Sequence, residues 1–105
     1  MGRKEAFAAR ESNINKMKAV ITVTGKDTMG IIAKVAAGCA EYGANIIDIS
    51  QSVLKEYFAM IMIVDIDRLY IDFGEFVDKM KKLGEDSGLV IQTMHDDIFT
   101  AMHSI

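Results

Sequence analysis

Residues Gly25-Lys26-Asp27-Thr28-Met29-Gly30 join a β-branched run, Val20-Ile21-Thr22-Val23, to a helical pattern that opens at Ile31-Ile32-Ala33. A short glycine-bearing turn in that position leaves backbone N–H groups unpaired at a helix N-terminus, which suits a carboxylate or a phosphate. Glycines separated by four residues also match the start of a nucleotide-binding phosphate loop. That loop then needs Lys and Ser/Thr, and Ile31-Ile32 stand there instead, which excludes ATP binding by this route. Asn45, at the start of the next strand, adds an amide that can donate and accept. The intervening helix offsets the two strands, so Asn45 is expected near this turn in a partner subunit. The candidate ligand-binding set is therefore Asp27, Met29, Gly30, Ile31 and Asn45.

Other reactive side chains form no constellation. Cys39 is the one cysteine of the chain, so it closes no internal disulfide and builds no metal cage. His95-Asp96-Asp97, even with His103, lacks a ligand-spacing motif and reads as a strand-to-helix turn with a cap. No base is placed to activate a serine or the thiol. Met60, Met62, Met80, Met94 and Met102 fall at core spacing, where methionine fills gaps. No catalytic residue, metal or cofactor is expected, and the chain reads as non-enzymatic.

The composition narrows the classes further. The 105 residues carry a formal net charge of −3, with 50% hydrophobic and 26% charged, which bounds one ordinary globular domain. No basic block marks a nucleic-acid binder. No apolar run approaches the roughly 18 residues of a membrane span, and no helix pairs an apolar face with a Lys/Arg-rich one. A reducing, cytoplasmic setting is expected. Residues 1–16 read as an extension from an upstream start, and 17–105 as a single domain.

The elements that must hold the turn follow from periodicity. Lys18 to Thr24 reads as a strand. Ile32, Val35, Ala36 and Cys39 mark the buried face of a helix from about Met29 to Tyr42, with Thr28 as N-cap and Gly43 past its end. Asn45 to Leu54 reads as an edge strand, and Lys55-Glu56 as a two-residue reversal. Tyr57 to Val64 is apolar on both faces, so it is expected at the sheet's centre with both faces covered. Asp72 to about Gly84 is a second amphipathic helix opened by a capping box of Asp72 and Glu75. Leu89 to Met94 is a fourth strand. Asp96 or Asp97 caps a last helix whose Ile98, Met102 and Ile105 are expected to help cover the second sheet face, together with the N-terminal segment or a partner subunit. The order is α+β: a ferredoxin-like βαββαβ sandwich with an additional C-terminal helix.

Fold-mates with known chemistry are tested by what is missing. An acylphosphatase-like enzyme needs an arginine in the first turn, a copper-chaperone-like domain needs a Cys pair there, and an RNA-recognition motif needs aromatics on its central strands. Residues 25–30 hold neither arginine nor cysteine, and the first strand has no aromatic.

Gly25-Lys26-Asp27, then Gly30-Ile31-Ile32-Ala33 with Val35, then Gly43-Ala44-Asn45-Ile46, resemble the ACT domain, the regulatory module of amino-acid metabolism. The likeness covers residues 18 to 105. It is nearest to stand-alone, single ACT-domain proteins of uncharacterised function, through Asp48-Ile49-Ser50-Gln51, Tyr57-Phe58, Asp97-Ile98-Phe99 and Ala101-Met102. The tandem ACT regulators of glycine cleavage are more distantly similar. The resemblance implies a homodimer joined edge to edge, an amino acid bound between the subunits, and a regulated protein partner. Asn45 matches an asparagine that contacts ligand in serine-sensing members. Asp27 stands where those members carry an amide, and Met29 where proline is frequent. The competing expectation is a dimerisation module with no small ligand.

Overall fold

The computed structural model describes residues 17–26 and 29–103. Its elements are β1 (Lys18–Gly25), α1 (Ile31–Tyr42), β2 (Asn45–Leu54), β3 (Tyr57–Asp65), α2 (Phe73–Ser87), β4 (Val90–His95) and α3 (Asp96–His103). They form one antiparallel sheet in the order β2-β3-β1-β4. This is the ferredoxin-like sandwich with a C-terminal helix that the element order predicts.

Alternation along the two central strands builds the core. Ala19, Ile21 and Val23 of β1 and Phe58, Met60, Met62 and Val64 of β3 are all buried on one face. Ile31, Val35 and Cys39 of α1 and Phe76 and Met80 of α2 close over them. Burying each side chain of this size stabilises the fold by about 1.5–3 kcal/mol. Helix α1 packs beside β2, and α2 lies along β4.

The second sheet face departs from expectation. Ala59 and Ile61 of β3 stay exposed, Ile61 to 42%, and Ile63 is half-buried. Ile98 and Met102 of α3 are 52% and 65% exposed, so α3 does not turn them inward. Phe99 is the half-buried apolar residue of that helix, whereas Ile105 lies outside the described residues. Two helices can cover only one side of a four-stranded sheet, and among the described residues only the eight-residue third helix lies over part of the other; residues 1–16 lie outside the described residues. Among the described residues this face is covered at one end, where Val20 is buried and Ile63 half-buried, and exposed at Ala59 and Ile61.

Several boundaries shift by local chemistry. Helix α1 starts at Ile31, with Gly30 rather than Thr28 in the cap position. Val35 and Cys39 are buried as expected, but Ile31 completes the face in place of Ile32, which is 40% exposed. Helix α2 runs past Gly84 to Ser87 and ends at Gly88. Asp72 caps it through its backbone carbonyl, which accepts from Phe76 N–H at 2.9 Å; its side chain makes no cap bond, so the capping box is not formed.

Candidate functional site

The turn after β1 ends on Gly30, whose φ of 73° and ψ of 6° lie in the left-handed region. A side chain there would be strained, so glycine suits the position. Gly30 C=O accepts the first helical bond from Lys34 N–H at 3.0 Å. The N–H groups of Ile31 and Ile32 at the helix start have no intrahelical acceptor. Gly30 offers no side-chain cap of its own, and among the described residues the first turn of the helix holds no acidic side chain. This end of α1 carries the partial positive charge of a helix N-terminus, which suits an anion. Met29 stands beside it at 83% exposure, while the Ile31 side chain is buried in the core. Asp27 and Thr28 lie outside the described residues.

Lys26 reaches across this end of the sheet. Its Nζ sits 5.7 Å from the centroid of the Tyr57 ring, on the first residue of β3. A shallow apolar hollow of about 370 Å³ opens beneath, with Thr24, Ser52 and Ala59 on its floor and Leu54 and Tyr57 among its walls. Neither the cation–π contact nor the hollow is legible from spacing, because β1 and the β2–β3 reversal meet only in the folded sheet.

Asn45 lies at the other end. It pairs with Asp65 of β3, and Asp65 pairs with Lys18 at the start of β1; Gly25, at the far end of β1, pairs with Phe58. The seven steps from Lys18 to Gly25 span roughly 24 Å at about 3.4 Å per residue. One chain thus gathers Met29, Gly30 and Ile31 but not Asn45. The Asn45 end is tied down locally: Asp65 accepts from Asp67 N–H at 2.9 Å, and Asp67 accepts from Met17 N–H at 3.0 Å. Tyr70 N–H bonds Tyr42 C=O at 2.9 Å, holding the end of α1 to the chain that follows β3.

Between these two ends runs β2, an outer strand of ten residues that is exposed at every position except Ile46. Ile47, Ile49, Val53 and Leu54 are exposed along it. The register slips by one residue between Ile46 and Asp48, a bulge at Ile47.

The remaining candidates for chemistry are accounted for. Burial pushes the Cys39 thiol from 9.0 up to about 11, so it stays protonated and unreactive at neutral pH. His95 stacks on Phe73 with ring centroids 3.9 Å apart. Among the described residues no group of three His, Cys, Asp or Glu side chains is placed to hold a metal ion, and no helix is long and apolar enough to cross a membrane.

Comparison with known proteins places this geometry. A family model described as ACT domain matches residues 18–94. A UPF0237 protein of Bifidobacterium longum is 46% identical over 88 residues, which is 84% of this chain and 98% of that protein. The solved structure of an ACT domain protein from Streptococcus pneumoniae superposes with a TM-score of 0.72 at 44% identity, covering 85% of this chain and all of that one. A formyltetrahydrofolate deformylase from Pseudomonas syringae has a TM-score of 0.69 at 18% identity, over 86% of this chain and 32% of its own. At that identity it shows the shared fold alone.

Proposed function

The chain belongs to the ACT domain family, and from that premise we propose that it is a non-enzymatic regulatory module that binds an amino acid or similar small molecule between two copies of itself. The observation that carries this reading is the layout of the β2 edge. A twofold axis normal to the sheet would pair β2 with its copy in antiparallel sense and remove two unpaired edges. Because the copies run in opposite directions, each Asn45 would then sit at the end where the partner's α1 begins. The anion-accepting turn and the amide, separated within one chain, would become neighbours across the dimer.

In that arrangement the N–H groups at the start of α1 take the ligand carboxylate, and Asn45 donates or accepts from the other subunit. Asp27 takes the ammonium group. The ligand-loaded and empty dimers would differ in the firmness of the β2–β2 contact, a difference a protein partner can read.

Calorimetric titration of the twenty amino acids into wild-type protein and Asn45→Ala tests the site. A hydrogen bond to a charged group contributes about 1.5–3 kcal/mol. The substitution should therefore weaken binding roughly ten- to a hundred-fold, at about 1.4 kcal/mol per factor of ten. An amino acid bound equally by both proteins would remove this site. The exposed apolar residues along β2 support a second reading, a dimerisation module without a ligand. A dimer that binds none of the twenty favours it.

A further inference from the structure

Opposite the β2 edge, a cavity of about 420 Å³ opens between α2 and β4. That size lies within the range of small-molecule sites. Val77, Lys81 and Glu85 recur every four residues on α2 and form one wall; Leu89, Ile91 and Thr93 contribute the other. Three features set it apart from a gap between exposed side chains.

The first is Thr93. Thr93 lines the cavity, and its Oγ1 is fully buried with no hydrogen-bond partner. Buried hydroxyls are nearly always paired, and an exception calls for an explanation. The second is charge. Lys81 and Glu85 stand one helical turn apart, a spacing that brings side chains together. The neighbouring pair with the same spacing, Lys82 and Asp86, closes at 3.7 Å. Lys81 and Glu85 do not close on each other, and both face the cavity. One cationic and one anionic group thus flank the same opening. The third is that the hollow is not loose packing. At its upper end Gly84 brings α2 so near β4 that an added Cβ would lie 2.9 Å from Leu89 C=O, and Leu89 N–H bonds Gly84 C=O at 2.7 Å.

We propose that this cavity is a second small-molecule site, independent of the β2 edge, which takes a small zwitterion with an apolar body. Lys81 receives the carboxylate, to which Thr93 Oγ1 donates once its side chain turns about χ1 toward the cavity, and Glu85 receives the ammonium group. Val77, Leu89 and Ile91 cover the apolar part. An aliphatic α-amino acid is the simplest molecule of this class, so leucine is the probe. Its two halves are 4-methylpentanoate, which lacks the ammonium group, and 3-methylbutylamine, which lacks the carboxylate.

Amide chemical shifts in isotope-labelled full-length protein locate the binding. Leucine should shift residues 77–85 and 89–93 saturably, with each half-molecule at least tenfold weaker. Lys81→Met and Glu85→Gln should each weaken leucine about tenfold. Thr93→Val, which keeps the shape and removes the hydroxyl, should do the same in a protein whose unperturbed spectrum shows it folded. No saturable shift at these residues overturns the proposal. So does equal binding of leucine and its halves, which would leave only an apolar hollow, or unchanged affinity in the charge variants. Shifts confined to residues 29–32 and 45 overturn it while supporting the β2-edge site, so the two readings fail separately.

Discussion

Gly74 and Gly84 lie on the same helix, and the same substitution should move stability in opposite directions. At Gly74, in the first turn of α2, a Cβ would meet nothing within 4 Å. Alanine there gains the usual advantage over glycine in a helix, about 0.5–1 kcal/mol. At Gly84 the same gain is available, but the Cβ would lie 2.9 Å from both Leu89 C=O and Ile91 Cγ1 and 3.2 Å from Ile91 N. Two of these three atoms are backbone, at the entry to β4 where Leu89 N–H is already bonded to Gly84 C=O, so they cannot swing aside as a side-chain tip does. Forcing a methyl into a packed contact costs about 1–3 kcal/mol. The net effect at Gly84 is a loss of about 1–2 kcal/mol. For a domain of this size each kcal/mol moves Tm by about 4–8 °C. Calorimetric melting should therefore place Gly74→Ala a few degrees above wild type and Gly84→Ala roughly 5–15 °C below it. Urea midpoints at constant slope would show that stability rather than compactness has changed. A Gly84→Ala protein at or above the wild-type Tm would refute the close approach of α2 to β4.

Cys39 makes stability pH-dependent at the alkaline end. Its folded pKa is raised from 9.0 to about 11 by burial, so its contribution is whole below pH 9 and is lost as pH rises to about 11. The stability difference between wild type and Cys39→Ala, followed by urea denaturation, should shrink over that interval by up to about 1.4 kcal/mol per pH unit; a difference independent of pH contradicts the buried thiol. On the β2 edge, Ile49 and Val53 are exposed in one chain. The double substitution Ile49→Lys, Val53→Lys should yield a folded monomer by light scattering if β2 is the pairing edge. A dimer of undiminished affinity would move the interface elsewhere.

Much of the fold could be read from periodicity, and the failures have physical causes. The apolar run of β3 marks it as a central strand, and it buries one complete row there, Met60 and Met62 against Val23 and Ile21 of β1. The other row is less legible at Ile61 and Ile63. An apolar residue marks a face that favours burial, but not what covers it, and the helices of the described residues cover little of that row. The glycines mark the turn into α1, but a hydroxyl at Thr28 is the ordinary cap signal, and a left-handed Gly30 takes that position instead; Val35 and Cys39 keep their buried places, with Ile31 in place of Ile32. The candidate site was half-legible. Gly30 and Ile31 are sequence neighbours that act through backbone, whereas Asn45 is linked to them only through a partner subunit, which one chain does not contain. The α2–β4 cavity left no signal, since Lys81 and Glu85 look like any solvated helix face and Thr93 like any strand residue.

The separation of Asn45 from the α1 N-terminus carries a further consequence for the β2-edge reading. If each site is completed by residues of two subunits, a monomer holds half a site, and ligand affinity is coupled to association. A ligand that binds the dimer and not the separated chains stabilises the dimer by mass action, in proportion to the logarithm of its concentration over Kd. By reciprocity, raising protein concentration raises apparent ligand affinity. The same coupling distinguishes the two candidate sites. At the α2–β4 cavity every proposed contact belongs to one chain, so affinity there should be independent of protein concentration. Titrating leucine at protein concentrations a hundredfold apart, spanning the dimer's dissociation constant, reads this directly. A concentration-dependent shift at residues 77–85 would tie the cavity to assembly and contradict its independence; a concentration-independent affinity at residues 29–32 and 45 would contradict a site shared between subunits.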